Sequence, residues 1–421
     1  MTEVVLGIDI GTSGVRITAA DRNNTLMAMS KADIVAPLQN TGRLQQDPNI
    51  WWESVGQAFA ALDLKGLAVL AIAIDGTSGT ILSVDETGNP IGLASMYNDL
   101  APREDVDRVS SAAAMESAAR GASSPLARAL SMQENAKRIL HQADWLAGQF
   151  SGRFDVSDEN NALKSGYDPK TREWPSWITA TGFDMKLLPE VVPAGTVTGK
   201  IRPEIATAFK LLNSVSIVAG TTDGCAAFLA SGATDPGDGV TSLGTTLTLK
   251  LLSEHPVFSP QYGIYSHRIG EQWLAGGASN SGGGVLRRYF SGDDIMRLTS
   301  LIDPKVPTGL DYYPLTQAGE RFPIADPGFA PRLEPRPADE RTYFQAILEG
   351  IAGVEKLGYQ RLAQLGASPL TSIRSVGGGA ASAPWTAIRL KALGVPAKQP
   401  ASEHAAMGTA RLAWRGLGHA N

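Results

Sequence analysis

The residues best placed to do chemistry lie in two short hairpins. The first is Val4-Val5-Leu6-Gly7-Ile8-Asp9-Ile10-Gly11-Thr12-Ser13-Gly14-Val15-Arg16. An apolar run of strand length delivers one carboxylate, Asp9, to a turn made of Gly11, Thr12, Ser13 and Gly14. Small residues let backbone N–H groups come close to an anion, and a concave row of such groups binds phosphate. Asp9 supplies a negative charge that can hold hydrated Mg²⁺. By itself this is equally a Gly-rich turn at a strand end. The second hairpin, Val240 to Leu252, repeats the pattern around Gly244-Thr245-Thr246. One strand–Gly-Thr–strand hairpin in each half indicates a duplicated architecture. Two phosphate loops facing each other would clamp a nucleoside triphosphate.

Two further stretches carry candidate chemistry. In Val218-Ala219-Gly220-Thr221-Thr222-Asp223-Gly224-Cys225 an apolar strand end meets Asp223 and then an Ala-rich helix. Asp223 is either a helix cap or a base that accepts the proton of an attacking hydroxyl. Cys225 reads as a small buried residue on that helix. The triple glycine Gly377-Gly378-Gly379 follows a strand and precedes a helix, so a phosphate or a flat group could lie against bare backbone. Trp385, one turn further on, either stacks on a purine or fills core. No Walker A motif is present: Gly199-Lys200 is followed by Ile201 and lacks the upstream glycine.

The elements that must position these residues can be read from periodicity. Strands are expected at 4–10, 15–20, 67–74 and 372–376. Helices are expected at 50–62, entered through Asp47-Pro48, at 133–150 ending before Gly152, at 341–366, after Pro384, and at 403–416. The Ser231–Gly239 stretch, dense in turn formers, is the best domain boundary. The segment 303–340 is rich in proline and turn residues, but Tyr312, Tyr313 and Phe322 within it make it an ordered loop.

A chain of 421 residues is too long for one core and fits two domains. A net charge of −5 argues against nucleic acid or an anionic membrane as partner. No apolar run approaches the length of a membrane span, and no basic N-terminal region suggests a secretory signal. A single cysteine excludes an intrachain disulfide and fits a reducing cytoplasm. The histidines are scattered, without the spacing of a structural zinc site.

Taken in order, the motifs resemble the FGGY carbohydrate kinases of the actin/hexokinase/Hsp70 superfamily. The resemblance runs through Asp9-Ile10-Gly11-Thr12-Ser13, Ala143-Asp144-Trp145-Leu146, Asp155-Val156-Ser157, Leu188-Pro189-Glu190-Val191 and Gly220-Thr221-Thr222-Asp223. It continues through Gly244-Thr245-Thr246, Gly319-Glu320-Arg321-Phe322-Pro323, Glu349-Gly350-Ile351-Ala352, Gly377-Gly378-Gly379-Ala380 and Met407-Gly408-Thr409-Ala410. It implies an α/β fold of two actin-like (ribonuclease H-like) domains flanking a deep nucleotide and sugar cleft. Residues 1–230 would form the sugar-binding domain and 231–402 the nucleotide-binding one, with the 403–416 helix returning to the first.

Carried over by position, Asp9 and Asp223 would serve a Mg²⁺ ion, and Asp223 would be the general base. Gly11, Thr12 and Ser13 would hold the transferring phosphate, Gly244 and Thr245 the other phosphates of ATP, and Gly378, Gly379, Ser382 and Trp385 the adenosine end. Sugar contacts would come from Asp9, Asp223, the Asp75-Gly76-Thr77-Ser78-Gly79 stretch, where Thr77 and Ser78 are the candidates, and Tyr97-Asn98-Asp99, where Asp99 is. The chain departs from the pattern at Tyr97-Asn98-Asp99-Leu100-Ala101, where typical members have Trp-x-Asp-x-Arg; the nearest arginine is Arg103. The Lys-x-x-Trp-Leu stretch usual before the 133–150 helix is also missing. The compact chain resembles D-ribulose and D-xylulose kinases. The implied activity is ATP-dependent phosphorylation of a ketopentose by a cytoplasmic monomer or homodimer. The alternatives are a non-catalytic sugar sensor, an actin- or chaperone-like ATPase, or a kinase for another sugar or a polyol such as glycerol.

Overall fold

The structure, a computed structural model, describes residues 1–40 and 42–419. It divides into two units. One comprises Met1–Ala230, His267–Gly270 and His404–Asn421, and the other Ser231–Ser266 and Glu271–Glu403.

In the first unit six strands lie in the order Val197–Lys200, Ser216–Thr222, Leu67–Gly76, Thr2–Ile10, Gly14–Ala20, Leu26–Asp33. The last three form an antiparallel meander, whereas Leu67–Gly76 runs parallel to Thr2–Ile10 and to Ser216–Thr222. Val4, Val5, Leu6, Ile8 and Ile10 are all fully buried, so this strand reads as a continuous apolar run because helices cover both faces of its sheet. The Pro48–Ala61 helix, capped by the Asp47 side chain, contributes Trp51, Val55 and Ala58 to that core.

The Ala405–Gly416 helix comes against the strand at Gly7, where an added Cβ would lie 1.9 Å from the Ala406 carbonyl oxygen. The same helix meets the Asp223–Ala230 helix at Gly408, where a Cβ would lie 1.9 Å from the Ala226 oxygen. Only glycine permits either approach, and together they lock both helices to the end of the sheet.

The expected helix over 133–150 is shorter, Gln142–Ser151, and Arg138–His141 is a strand paired antiparallel with Ile81–Val84. Ile139 and Leu140 are buried there, and an apolar run this short satisfies a strand as well as a helix. Gly152 stops the helix at φ 78°.

The second unit repeats the meander. Asp238–Leu243, Leu247–Ser253 and Gln272–Ser279 are antiparallel in sequence, and Ser372–Val376 runs parallel to Asp238–Leu243 on its other side. The Glu340–Gln364 helix lays Phe344, Ile347, Leu348, Ile351 and Val354 into this unit's core. Tyr312, Tyr313 and Phe322 from the irregular 303–340 segment are buried in the same core. Among the described residues no helix is long and apolar enough to cross a membrane.

Candidate active site

In the first unit three neighbouring parallel strands end at one edge, and each brings a polar group there. Asp9 stands opposite Asp75 in register, Asp75 stands opposite Thr221, and Asp223 opens the helix that follows the third strand. Ligands of open α/β sheets bind outside the carboxyl ends of such strands. Beyond Asp9 the hairpin closes through the Gly11 N–H donating to the Gly14 carbonyl at 2.9 Å. Thr12 is half-buried and Ser13 is exposed.

Burial pushes the Asp9 carboxyl above its usual range, and the negative charge of Asp223 adds to this; contact with Asp75 and the Arg16 guanidinium at 3.4 Å pull the other way. Asp75 is fully buried and its carboxyl is raised well above the usual range, by burial first and then by the Asp9 charge. The Thr409 hydroxyl donates to its Oδ2, while Oδ1 has no hydrogen-bond donor. Asp75 is thus held toward its protonated form against Asp9, which leaves Asp9 and Asp223 as the carboxylates of this edge that could offer oxygens to a hard divalent cation. Among the described residues no group of three or more His, Cys, Asp and Glu side chains is placed to hold a metal ion. A cation here would therefore keep much of its water.

Asp223 is half-buried, and its Oδ1 accepts the Gly224 N–H at 2.7 Å. That contact is local and leaves the carboxylate at the strand edge beside Asp9 and Asp75, both of which sense its charge. Cys225 is buried, as expected for a small core residue.

The two stretches expected to touch sugar border this edge. The Thr77 N–H and hydroxyl both donate to Gln142 Oε1, at 3.0 and 2.8 Å. Thr80 Oγ1 lies 2.6 Å from the Thr77 hydroxyl and accepts the Tyr97 N–H at 3.1 Å, which links the two stretches. Thr77 is buried, Ser78 is half-buried, and Tyr97 and Asn98 are exposed. Asp99 is buried, with both oxygens occupied: Arg43 donates from Nε and Nη2, Leu44 from its backbone N–H, and Ser95 from its hydroxyl. Burial pushes Asp99 up, but these donors outweigh it and hold the carboxyl below its usual range. Gln142, Arg43, Ser95 and Arg128 carried no sequence signal, and Thr409 lay in the Met407–Ala410 motif without a role assigned to it. Asp75 had one, since it ends an apolar strand as Asp9 nearly does.

In the second unit the Gly244-Thr245-Thr246 loop joins two antiparallel strands. The Gly244 and Thr245 carbonyls accept the Gly283 and Gly284 N–H groups at 2.9 Å each, and Thr245 Oγ1 accepts from Arg287 at 2.5 Å. Gly377 adopts φ 85°, which favours glycine, and opens the Gly378–Ala381 turn. This turn borders a cavity of about 380 Å³ lined by Ser375, Gly377, Gly378, Thr386 and Gln399 among others. Ser382 caps the next helix by accepting the Trp385 N–H at 3.4 Å. Trp385 is 3% exposed, and its indole N–H donates to the Leu348 carbonyl. A Cβ on Gly379 would lie 2.4 Å from its ring. The burial of Trp385 fits the core-filling reading of the sequence, with Gly379 close against the ring.

Comparison with known proteins gives these geometries a lineage. A xylulose kinase of Lactococcus lactis is 25% identical over 261 residues, covering 58% of this chain and 52% of that protein. The matched stretch thus spans about half the length of that relative. An autoinducer-2 kinase of Yersinia enterocolitica is 25% identical over 99% of this chain and 87% of its own. The crystal structure of a xylulose kinase from Rhodospirillum rubrum shares the fold with a TM-score of 0.88, at 20% identity, over 98% of this chain and 90% of its own. Sequence models of the FGGY family of carbohydrate kinases match at residues 4–120 and 128–230 for the N-terminal domain and 239–417 for the C-terminal domain. These matches account for most of the sequence, and the chain belongs to the FGGY family of carbohydrate kinases.

Proposed function

We propose that this protein transfers the γ-phosphoryl group of ATP to a hydroxyl of a ketopentose, D-ribulose or D-xylulose. The observation that carries the reading is the strand edge itself. A half-buried carboxylate at the start of a helix, Asp223, shares that edge with Asp9 and a small-residue hairpin. A sugar hydroxyl attacks phosphorus as it loses its proton; Asp223 accepts that proton, the O–P bond forms, and the bond to the ADP leaving oxygen breaks. Gly11, Thr12 and Ser13 hold the transferring phosphoryl group. Gly244 and Thr245 take the remaining phosphates, and the Gly378–Gly379 turn takes the adenosine end. Asp9 and Asp223 would hold Mg²⁺, which neutralises charge building on the phosphate oxygens. Positioning and charge stabilisation supply most of the catalysis in such transfers.

The name of the Lactococcus relative supports a ketopentose acceptor, and that of the Yersinia relative widens the range. The test is ADP release with D-ribulose, D-xylulose, other pentoses, hexoses, glycerol and other polyols, with and without Mg²⁺. A ketopentose should give the largest kcat/KM. If glycerol or a hexose exceeds every ketopentose severalfold, the acceptor assignment is wrong. If no acceptor stimulates ADP release, the sensor reading replaces it.

A further inference from the structure

Arg128 is a buried cation that no step of the chemistry uses. It lies on the Pro125–Leu130 helix with no exposure to solvent. Its Nη1 donates to the Ser95 carbonyl at 2.9 Å, the Ser95 hydroxyl at 2.7 Å and the Met96 carbonyl at 2.8 Å. Its Nη2 donates to the Gly79 carbonyl at 2.5 Å and the Ser123 carbonyl at 3.2 Å. No carboxylate bonds it directly. Its counter-charge is Asp99, reached through Ser95, whose hydroxyl donates to Asp99 Oδ2 at 2.6 Å. Burial lowers Arg128 to about 10, so it remains charged at neutral pH.

These bonds form one continuous chain: Arg43 to Asp99, Asp99 to Ser95, Ser95 to Arg128, and Arg128 to the Gly79 carbonyl. It joins the two stretches assigned to the sugar, residues 75–79 and 97–99. A guanidinium is planar, with donors in a fixed fork, so it fixes the distance and angle between the carbonyls it bridges. Asp99 has no acceptor site to spare, since an ionised carboxylate offers about four and all are taken.

We propose that Arg128 is a positioning residue of the acceptor site: its guanidinium sets the spacing between the Thr77–Gly79 and Met96–Asn98 segments. Asp99 serves the same framework through Ser95 and does not touch the sugar. The exposed or half-exposed groups that remain for direct contact are Ser78, Tyr97 and Asn98. This inference rests on the acceptor-site reading above.

The experiment compares Arg128→Met, Arg128→Lys, Ser95→Ala, Ser78→Ala and Asn98→Ala in the full chain. It measures KM for the best ketopentose, KM for ATP, kcat and melting temperature. Arg128→Met should raise the sugar KM about tenfold or more, leaving the ATP KM within about twofold, because only the acceptor segments lose register. Lysine should not rescue it, since a point charge cannot bridge four carbonyls. Ser95→Ala removes one hydroxyl from the chain, and should raise the sugar KM severalfold even if the Arg128 variants fail to fold. If Ser78→Ala and Asn98→Ala raise the sugar KM while Ser95→Ala and folded Arg128→Met do not, the positioning role is overturned and the acceptor site stands. If none of them moves the sugar KM, the acceptor-site reading fails and the positioning role falls with it. A loss shared equally between sugar KM and ATP KM would also overturn it.

Discussion

Replacing Gly408 with alanine should damage both stability and turnover, and the structure gives the scale. The new Cβ would lie 1.9 Å from the Ala226 oxygen and 2.6 Å from the Ala230 nitrogen, both backbone atoms of the Asp223–Ala230 helix. Ordinary carbon contacts begin near 3.5 Å, so the two helices must part by about 1.5 Å. The Ala405–Gly416 helix cannot retreat, because its Ala406 carbonyl already rests on Gly7. The displacement therefore falls on the helix that begins with Asp223. Overpacking of this kind costs about 1–3 kcal/mol, or a drop of roughly 3–10 °C in Tm for a domain of this size. Moving a catalytic carboxylate by about 1 Å can cost about a hundredfold in rate. The assay pairs thermal unfolding with kcat measured well below Tm and normalised to folded protein. Gly353→Ala is the control: Gly353 is exposed within the Glu340–Gln364 helix, and an added Cβ there meets nothing within 4 Å. It should stabilise by about 0.5–1 kcal/mol. If Gly408→Ala keeps the parent Tm and kcat, the close helix contact does not exist as described and the argument fails.

Three other outcomes are expected. Asp223→Ala should lower kcat by about 10²–10⁴-fold, roughly 3–5 kcal/mol of barrier, with nucleotide Kd nearly unchanged; near-normal kcat with a lower Tm would leave Asp223 only a helix cap. Thr12→Val should weaken turnover by misplacing the phosphoryl group, and unchanged kinetics in the folded variant would count against that loop. Glu159 is buried, and burial lifts its carboxyl to about 7 despite the Arg172 guanidinium at 3.8 Å, the Arg268 charge and the Ala194 backbone N–H, which pull it down. Between its ordinary value of 4.5 and about 7 the unfolded chain has released this proton while the folded one retains it, so stability falls as pH rises through that window, by up to about 3 kcal/mol. Glu159→Gln should thus gain Tm relative to the parent between pH 5 and 8, and a pH-independent difference would refute this.

The elements that fold on local rules were legible in the sequence. Strand Thr2–Ile10, the Gly11–Gly14 turn, the Asp47-capped helix and the Ser372–Val376 strand all announce themselves by apolar run, cap or turn residue. Arg138–His141 reads as helix in the sequence because Ile139 and Leu140, just before a true helix, extend its apolar pattern without contradicting it. The framework around the site was not legible for a different reason. Asp75 is held by Thr409, 334 residues away, and Asp99 by Arg43, 56 residues away. Such partners follow from the sheet order, which brings distant segments together, and no local spacing encodes them. Trp385 was ambiguous because an aromatic one turn after a glycine run suits a core as well as a ligand.

The Ala405–Gly416 helix has a consequence for how this protein comes to exist. It belongs to the first unit, where its Trp414 indole donates to the Ala20 carbonyl across 394 residues of chain. During synthesis the first 230 residues leave the ribosome with one face of their central sheet uncovered. Until the last helix emerges, Gly7 presents bare backbone and Asp75 lacks the Thr409 hydroxyl. Contacts this remote in sequence form late and slowly. The nascent first unit is thus an aggregation-exposed intermediate awaiting the Ala405–Gly416 helix, the kind of species chaperones protect. A ribosome that stalls before residue 405 releases a chain whose first unit cannot close its core, so folding itself withholds the assembled active site from truncated product.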